Sequence, residues 1–359
     1  MPRLGVLTGG GDCPGLNAVI RAVVKTANAG GYKVIGFLDA YSGLVERRHI
    51  TLDRQAISGL LHRGGTVLGT NNRDNPFRYP VGDGTCADRS DDVLRTLDDL
   101  GIECLVAIGG DGTLSITKEL VDKGARAVGV PKTIDNDLAA TDRTFGFDTA
   151  VATATEALDR LHTTAESHHR VMVLELMGRY AGWIALESGV AGGADVILIP
   201  EIEWTIDAVA AKILERKRAG KPFSVVVVAE GARAPGGGMV VRERVKGSAD
   251  PVRLGGIGDL VGQLIAEATG IETRVTVLGH LQRGGSPSPA DRVLATRFGV
   301  EAARLAMEGI SGVMVCLEGS RVSHVSLADA TKRLKKVPPD HQLIRAARAI
   351  GISFGDVEP

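Results

Sequence analysis

Short apolar runs alternate along almost the whole chain with longer segments whose apolar residues recur three and four positions apart. The short runs are rich in β-branched residues and bounded by glycine, proline or charge. They predict strands at residues 4–8, 34–38, 104–108, 127–130, 171–176, 196–199, 224–229, 274–278 and 312–317. The three-and-four spacing predicts helices at 16–28, 90–100, 113–123, 149–163, 182–190, 205–220, 258–269, 290–308 and 327–336. Strand and helix in alternation predict an α/β protein of two lobes, each a doubly wound domain with a mostly parallel sheet. Ligands then belong in the crevices outside the carboxyl ends of the strands. The run "ARAPGGGMVVRERVKGSADPVRLGGIGD" at residues 232–259 breaks the alternation and reads as a long mobile loop or an insertion.

Composition narrows the partners. The 359 residues are enough for two domains, and the formal net charge of −1 argues against nucleic acid or an anionic membrane surface. Small molecules remain. The 47 glycines against only 4% aromatic residues suggest many tight turns and close backbone approaches, as in enzymes that hold phosphates with backbone amides. Cys13, Cys86, Cys104 and Cys316 show no paired spacing and are expected to be buried free thiols. No stretch approaches the ~20 apolar residues of a membrane span, and "MPRLGVLTGGGDCPG" enters a strand at once, so a cytoplasmic location is expected.

Three segments are read as sharing one design, an apolar strand, then glycines and an acid, then a helix. In "LGVLTGGGDCPGLN" and "CLVAIGGDGTLS" the absent Cβ lets phosphate oxygens reach backbone amides, and the following helix points its positive end at the same place. Neither matches the Walker pattern or a full GxGxxG, which weakens a P-loop kinase or a dinucleotide-dependent dehydrogenase. Asp111 among such amides can hold Mg²⁺ against a polyphosphate, or cap the next helix, and these roles are compatible. The third segment, "VGVPKTIDNDL", places Lys132 beside Asp135 and Asp137. One aspartate can take a hydroxyl proton while its neighbour two residues on, pointing elsewhere in an extended loop, addresses the metal.

Further on, "ELMGRYAGW" offers Arg179 after a strand, "VVVVAEGA" delivers Glu230 at a strand end, and "TRVTVLGHLQRGGSP" brings Arg274, His280 and Arg283. Arginine suits a bidentate grip on a phosphate ester, and a strand-end glutamate suits sugar hydroxyls.

Taken together, "GGDCPGLN", "GGTVLGT", "GGDGT", "PKTIDND", "ESHHR", "MGR", "AEG" and "GHLQRGG" resemble, in order and spacing, the phosphofructokinase family. The likeness runs from Gly5 to about Lys336. It implies Rossmann-like lobes divided as 1–146 with 282–326, binding the donor phosphates, and 147–281 with 327–359, binding the sugar phosphate. It implies Asp135 as proton acceptor, Thr133 at the moving phosphoryl, Arg179 beside the reaction, and Asp111 with Asp137 at Mg²⁺. Gly10, Arg73, Gly110, Asp111, Gly112 and Thr113 correspond to the donor site. Thr133, Ile134, Asp135, Met177, Gly178, Arg179, Glu230, Arg274, His280, Leu281, Gln282 and Arg283 correspond to the sugar-phosphate site. Arg170 corresponds to a residue that reaches a neighbouring subunit's substrate, which implies a homo-oligomer, a tetramer or dimer. The implied reaction is direct transfer of a phosphoryl group to the 1-hydroxyl of fructose 6-phosphate.

The donor is read from two positions that disagree. A carboxylate at the place of Gly112 goes with pyrophosphate in this family, whereas glycine leaves room for the α-phosphate of ATP. Lys132 stands where pyrophosphate enzymes carry lysine and typical ATP enzymes glycine. Steric exclusion outweighs one extra cation, so ATP is the expected donor and pyrophosphate the alternative. An effector site finds matches at Arg21, Arg54 and Lys221, but Lys25, His162 and Asp195 depart from it. "GGDGT" also occurs in NAD kinases and lipid kinases, which leave the downstream motifs unexplained. A non-catalytic sugar-phosphate sensor is expected to have lost Asp135 or Asp111, and both are present.

Overall fold

A computed structural model describes residues 1–82, 84–233, 237–239, 241–244 and 252–356. Its first part runs β1 (Arg3–Thr8), α1 (Leu16–Ala29), β2 (Lys33–Phe37), α2 (Tyr41–Val45), β3 (His49–Leu52), a hairpin of β4 (Tyr79–Gly82) and β5 (Thr85–Ala87), α3 (Ser90–Asp99), β6 (Ile102–Gly109), α4 (Asp111–Asp122) and β7 (Ala127–Pro131). The middle runs α5 (Phe147–His168), β8 (Val171–Leu176), α6 (Trp183–Ala191), β9 (Val196–Leu198), α7 (Ile206–Arg218), β10 (Ser224–Ala229), a ribbon of β11 (Val241–Arg244) and β12 (Val252–Leu254), α8 (Ile257–Thr269) and β13 (Thr273–Val277). A 3-10 turn (Gly279–Arg283), α9 (Pro289–Met307), β14 (Val313–Glu318), β15 (Arg321–Ser326), α10 (Leu327–Ala330) and α11 (Gln342–Ala349) complete it.

Two sheets organise these elements. The larger has the order β15-β14-β7-β6-β1-β2-β3, with a parallel interior and antiparallel strands at both edges. The smaller, β13-β8-β10-β9, is parallel throughout. In the larger sheet the chain leaves β1 toward β2 on one side and β6 toward β7 on the other. The β1/β6 neighbours are therefore the topological switch point, where doubly wound sheets leave a crevice at the carboxyl ends.

Sequence explains the local choices. Thr205 and Ser288 accept the amides of Ala208 and Asp291 to start α7 and α9, and Pro289 at the first position of α9 lacks the amide that such a start leaves unpaired. Strands β6, β8 and β10 are apolar on both faces because helices cover both, and the valines of β10 are fully buried. One continuous core includes Val6, Val106 and Val128 of the larger sheet, Leu174 and Val227 of the smaller, and Phe298 of α9. Truncating Phe298 to alanine there costs about 3–5 kcal/mol.

The expected strands and helices are present, with several corrections. The helix expected at 327–336 stops at Ala330, because the following backbone is drawn away. The Lys335 amide donates to the Asp137 carbonyl at 2.7 Å, and Leu334 bridges Leu138. Edge strands β3 and β15 carry too few apolar positions for alternation to register, and helix α11, eight residues long, is too short for the three-and-four spacing to repeat. The run at 232–259 lies partly outside the described residues. Its described part includes the antiparallel β11–β12 ribbon and the start of α8, so it is not loop throughout. Cys86 is exposed in the β4–β5 hairpin, whereas Cys13, Cys104 and Cys316 are buried free thiols. Among the described residues no helix is long and apolar enough to cross a membrane.

Candidate active site

The three segments with a shared design end side by side, since β7, β6 and β1 are consecutive strands of one parallel sheet. After β1 the Gly9 amide donates to the Ile108 carbonyl at 2.9 Å and the Gly10 amide to Asn71 at 3.0 Å, which draws the first turn against the second. Gly10 has φ +78°, a left-handed conformation that side chains disfavour. A Cβ on Gly9 would come within 2.6 Å of the Thr113 hydroxyl, so the close approach of α4 depends on its absence. Gly110 opens α4 and Asp111 lies in its first turn, at the positive end of the helix. A Cβ leaving Gly112 meets no atom within 4 Å, so the space it faces is open. Buried Thr113 is fixed by Tyr41, whose hydroxyl donates to the Thr113 carbonyl at 2.8 Å. Exposed Arg73 sits on the loop that meets Gly10, its amide held by Asn71 Oδ1 at 2.8 Å.

The loop after β7 crosses the same crevice. Lys132 is buried, and its Nζ donates to the Gly11 carbonyl in the first turn. Burial draws its pKa down to about 8. Thr133 accepts the Asp135 amide at 3.1 Å, and Ile134 is buried beneath. The Oδ1 of Asp135 is buried with no hydrogen-bond partner among the described residues. Burial, and then the Asp137 carboxylate, push Asp135 up to about 7 against the pull of Arg283 and Arg179. Burial also raises Asp137, opposed by a hydrogen bond from Thr133 and by Lys335 and Lys132. Burial and then Asp137 raise Asp111.

The smaller sheet supplies the facing wall. Strands β8 and β10 are adjacent and parallel, so Met177, Gly178 and Arg179 after one stand beside Glu230 after the other. The Glu230 amide donates to Leu176 at 2.8 Å and the Gly231 amide to Gly178 at 3.1 Å. Burial raises Glu230, opposed first by Arg179. From the turn after β13, Arg283 Nη1 donates to the Asp12 carbonyl at 3.1 Å, linking this wall to the glycine turn. Gln282 in that turn is buried, its Oε1 without a hydrogen-bond partner among the described residues, whereas His280 and Leu281 are exposed.

Arg274 does not join this group. The sequence reading placed it with Arg179, but the parallel register pairs Arg274 with Met172, at the amino end of β8. Arg179 follows the carboxyl end. With about 3.3 Å per strand residue, the sheet separates the two by more than 13 Å. Arg274 instead stands with Arg170, which precedes β8, and both bind Glu272, Arg170 Nε at 2.7 Å from its carboxylate. Among the suggested effector residues, Asp195 is already engaged, by Arg216 at 2.8 Å and the Val225 amide at 2.9 Å.

Among the described residues no group of three or more His, Cys, Asp or Glu could by itself hold a metal. The donor set still suits Mg²⁺, which keeps several waters and takes one or two carboxylates plus phosphate oxygens. Asp111 and Asp137 are such a pair, close enough that the Asp137 carboxylate raises the proton affinity of Asp111. Sequence reasoning missed the residues that hold the loop. Asn136, at φ +52°, accepts the Thr144 amide at 3.1 Å and the Lys335 ammonium at 3.0 Å, and the Thr144 hydroxyl donates to the Thr133 carbonyl at 2.7 Å. The asparagine in "DND" was a usable signal, because asparagine tolerates that conformation.

A two-lobed α/β scaffold with glycine turns at a switch point, facing a wall of arginine and glutamate, defines the class as a phosphoryl-transfer enzyme of the doubly wound kind. The phosphofructokinase family profile matches residues 3–306, and the chain belongs to that family. It is 52% identical to an ATP-dependent 6-phosphofructokinase 2 of Clostridium perfringens, over 99% of this chain and 98% of that protein. It is 51% identical to a pyrophosphate–fructose 6-phosphate 1-phosphotransferase of Streptomyces coelicolor, over 98% of this chain and 100% of that protein. Among solved structures, the phosphofructokinase of Pichia pastoris superposes with a TM-score of 0.79 at 30% identity, covering 97% of this chain and 36% of that longer one.

Proposed function

We infer that this chain is a 6-phosphofructokinase that transfers the γ-phosphoryl group of ATP to the 1-hydroxyl of fructose 6-phosphate, giving fructose 1,6-bisphosphate. The observation that carries the reading is Asp135, a carboxylate whose buried Oδ1 has no hydrogen-bond partner among the described residues, beside two arginines and with its pKa raised to about 7. It takes the hydroxyl proton as the phosphoryl arrives. Thr133, Arg179 and Arg283 position and neutralise the transferring group, and Glu230 accepts from sugar hydroxyls together with Met177 and Gly178. The turns at Gly10 and at residues 110–113 cradle the donor phosphates. Asp111 and Asp137 hold Mg²⁺, which neutralises polyphosphate charge when bound. Phosphoryl transfer of this kind rests on positioning and electrostatics, not on a covalent protein intermediate.

Open space at Gly112 supports ATP, and several relatives named ATP-dependent support it too. A second reading, pyrophosphate as donor, is favoured by one feature, the buried Lys132 ammonium against the glycine turn. A coupled assay of the purified protein with fructose 6-phosphate compares the two donors. Turnover with pyrophosphate and none with ATP overturns the donor assignment.

The donor lobe comprises residues 1–146 with 282–326 and the acceptor lobe 147–281 with 327–359, except that α10 packs on α4, β14 and β15 and belongs with the donor lobe. Because Arg170 and Arg274 lie at the far end of the smaller sheet, they serve a neighbouring copy's substrate, so the working unit is a dimer or tetramer. The chain acts in the cytoplasm on small molecules.

A further inference from the structure

We propose that Lys335 is a positioning residue for the catalytic loop "PKTIDND", delivered by the C-terminal strap that crosses between the two sheets. The inference rests on the function proposed above and adds a residue to which that reading gives no role. The strap, residues 331–341, leaves α10 on the larger sheet and ends against α6 beside the smaller one. Leu334 bridges Leu138, the Val337 amide donates to Glu201 Oε1 at 2.9 Å, and the His341 ring meets Trp183 edge-on at 5.1 Å.

Lys335 sits at the middle of this crossing and bonds through every polar group it has. Its amide donates to the Asp137 carbonyl at 2.7 Å, and its carbonyl accepts from Trp183 Nε1 at 3.0 Å. Its ammonium donates to Asn136 Oδ1 at 3.0 Å and to the carbonyls of Thr141 and Asp142, both at 2.9 Å. An ammonium has three donors in a tetrahedral array, and three oxygens are supplied. Two of these bonds reach the catalytic loop, one at the side chain of the left-handed Asn136 between Asp135 and Asp137 and one at the Asp137 carbonyl, and two more hold the following turn at Thr141 and Asp142. Asparagine tolerates that conformation better than other residues with a side chain, and it is kept there by the bonds its surroundings supply. Here the Asn136 side chain is fixed from two sides, by the Thr144 amide and by Lys335. The turn at Asn136 sets the divergence of its two acidic neighbours. Lys335 thus acts through Asn136 and touches no reacting atom.

The test compares Lys335→Met, which keeps the stem and removes the donors, with Lys335→Arg and with Glu201→Gln, which loosens the strap at its other anchor. For Lys335→Met the expected result is a kcat lower by about 10- to 100-fold, as misplacing a catalytic group by an ångström can cause, with the KM for fructose 6-phosphate within about threefold. Amide exchange of residues 133–144 accelerates in the same variant. Lys335→Arg recovers most of the kcat, and Glu201→Gln lowers Tm while leaving kcat within about twofold. A kcat for Lys335→Met within twofold of the parent, or an equal kcat loss in Glu201→Gln, overturns the proposal. If Lys335→Met does not fold, Lys335→Gln replaces it under the same criteria. The exchange measurement needs no turnover. Accelerated loop exchange in a protein whose parent fails to phosphorylate fructose 6-phosphate leaves the Lys335 role standing and removes the function.

Discussion

The donor and acceptor sides of the crevice are built on different terms. On the donor side the glycine and acid turns follow three neighbouring strands of one sheet, the loop carrying Arg73 meets Gly10 beside them, and backbone bonds hold the cradle together. The acceptor side is divided. Arg179 and Glu230 stand at the carboxyl end of the smaller sheet, and Arg170 and Arg274 at its amino end, tied to Glu272. On the proposed reading, one chain completes its donor site and leaves its acceptor site to be finished by a second copy. A sheet's switch point is a property of one fold, whereas Arg179 and Arg274, at opposite ends of the smaller sheet, would meet a common ligand only through such a copy.

The largest effect is expected at Asp135, the proposed base between the two sides. Asp135→Asn should lower kcat by about 10²- to 10⁴-fold, the usual contribution of a general base, with the fructose 6-phosphate KM little changed. Full activity in that variant would remove the base assignment. On the donor side, Gly112→Asp fills the open space with a like charge. Turnover with ATP should fall by about 10²-fold or more, as a penalty of several kcal/mol implies, while pyrophosphate use is retained or improved. Equal loss with both donors would mean that the position does not select the donor.

The acceptor side gives the sharpest test of the split. Arg274→Ala should raise the fructose 6-phosphate KM by about 10- to 100-fold, the value of one or two hydrogen bonds to a charged group. Mixing Arg274→Ala with Asp135→Asn chains should then restore activity, because a hybrid assembly contains a site with both native residues. Failure to restore activity in assemblies shown to be mixed would place Arg274 outside the shared site.

The pH dependence follows from Asp135. Its folded pKa, raised by burial and Asp137 to about 7, makes the protonated form persist toward neutrality, and a protonated base accepts nothing. In the free enzyme kcat/KM should decline by about tenfold per unit as pH falls below about 7. For stability the sign is opposite. A raised carboxyl pKa gives stabilisation that is complete below the unfolded value and lost as pH rises through about 7, so Tm should be lower at about pH 8 than at about pH 5, a difference that Asp135→Asn should reduce. The smallest effect is expected from Glu272→Gln, which releases Arg170 and Arg274 and should lower the sugar-phosphate KM by about two- to fivefold, the range of an exposed ion pair.

Much of this was legible in the chain. The apolar runs located the interior strands because burial on both faces leaves little choice of side chain. The three glycine or acid turns announced themselves because close backbone approach and φ above zero restrict residue type. Edge strands β3 and β15 were silent because one face meets water, and α11 because its buried stripe is only Ile344 and Ala347. The strand pairing was not legible, and it decided that Arg274 belongs with Arg170.

What the sequence determined by itself was the inventory: which strands, which turns, which acids and cations, and the family they resemble. Only the tertiary structure decided the adjacencies. It set β1, β6 and β7 side by side, sent Arg274 to the far end of its sheet, and brought Lys335 from the C-terminal strap onto Asn136, 199 residues away along the chain. The physical reason is that hydrophobic periodicity is local, recording which face of an element is buried. A hydrogen bond between remote segments leaves no period in either.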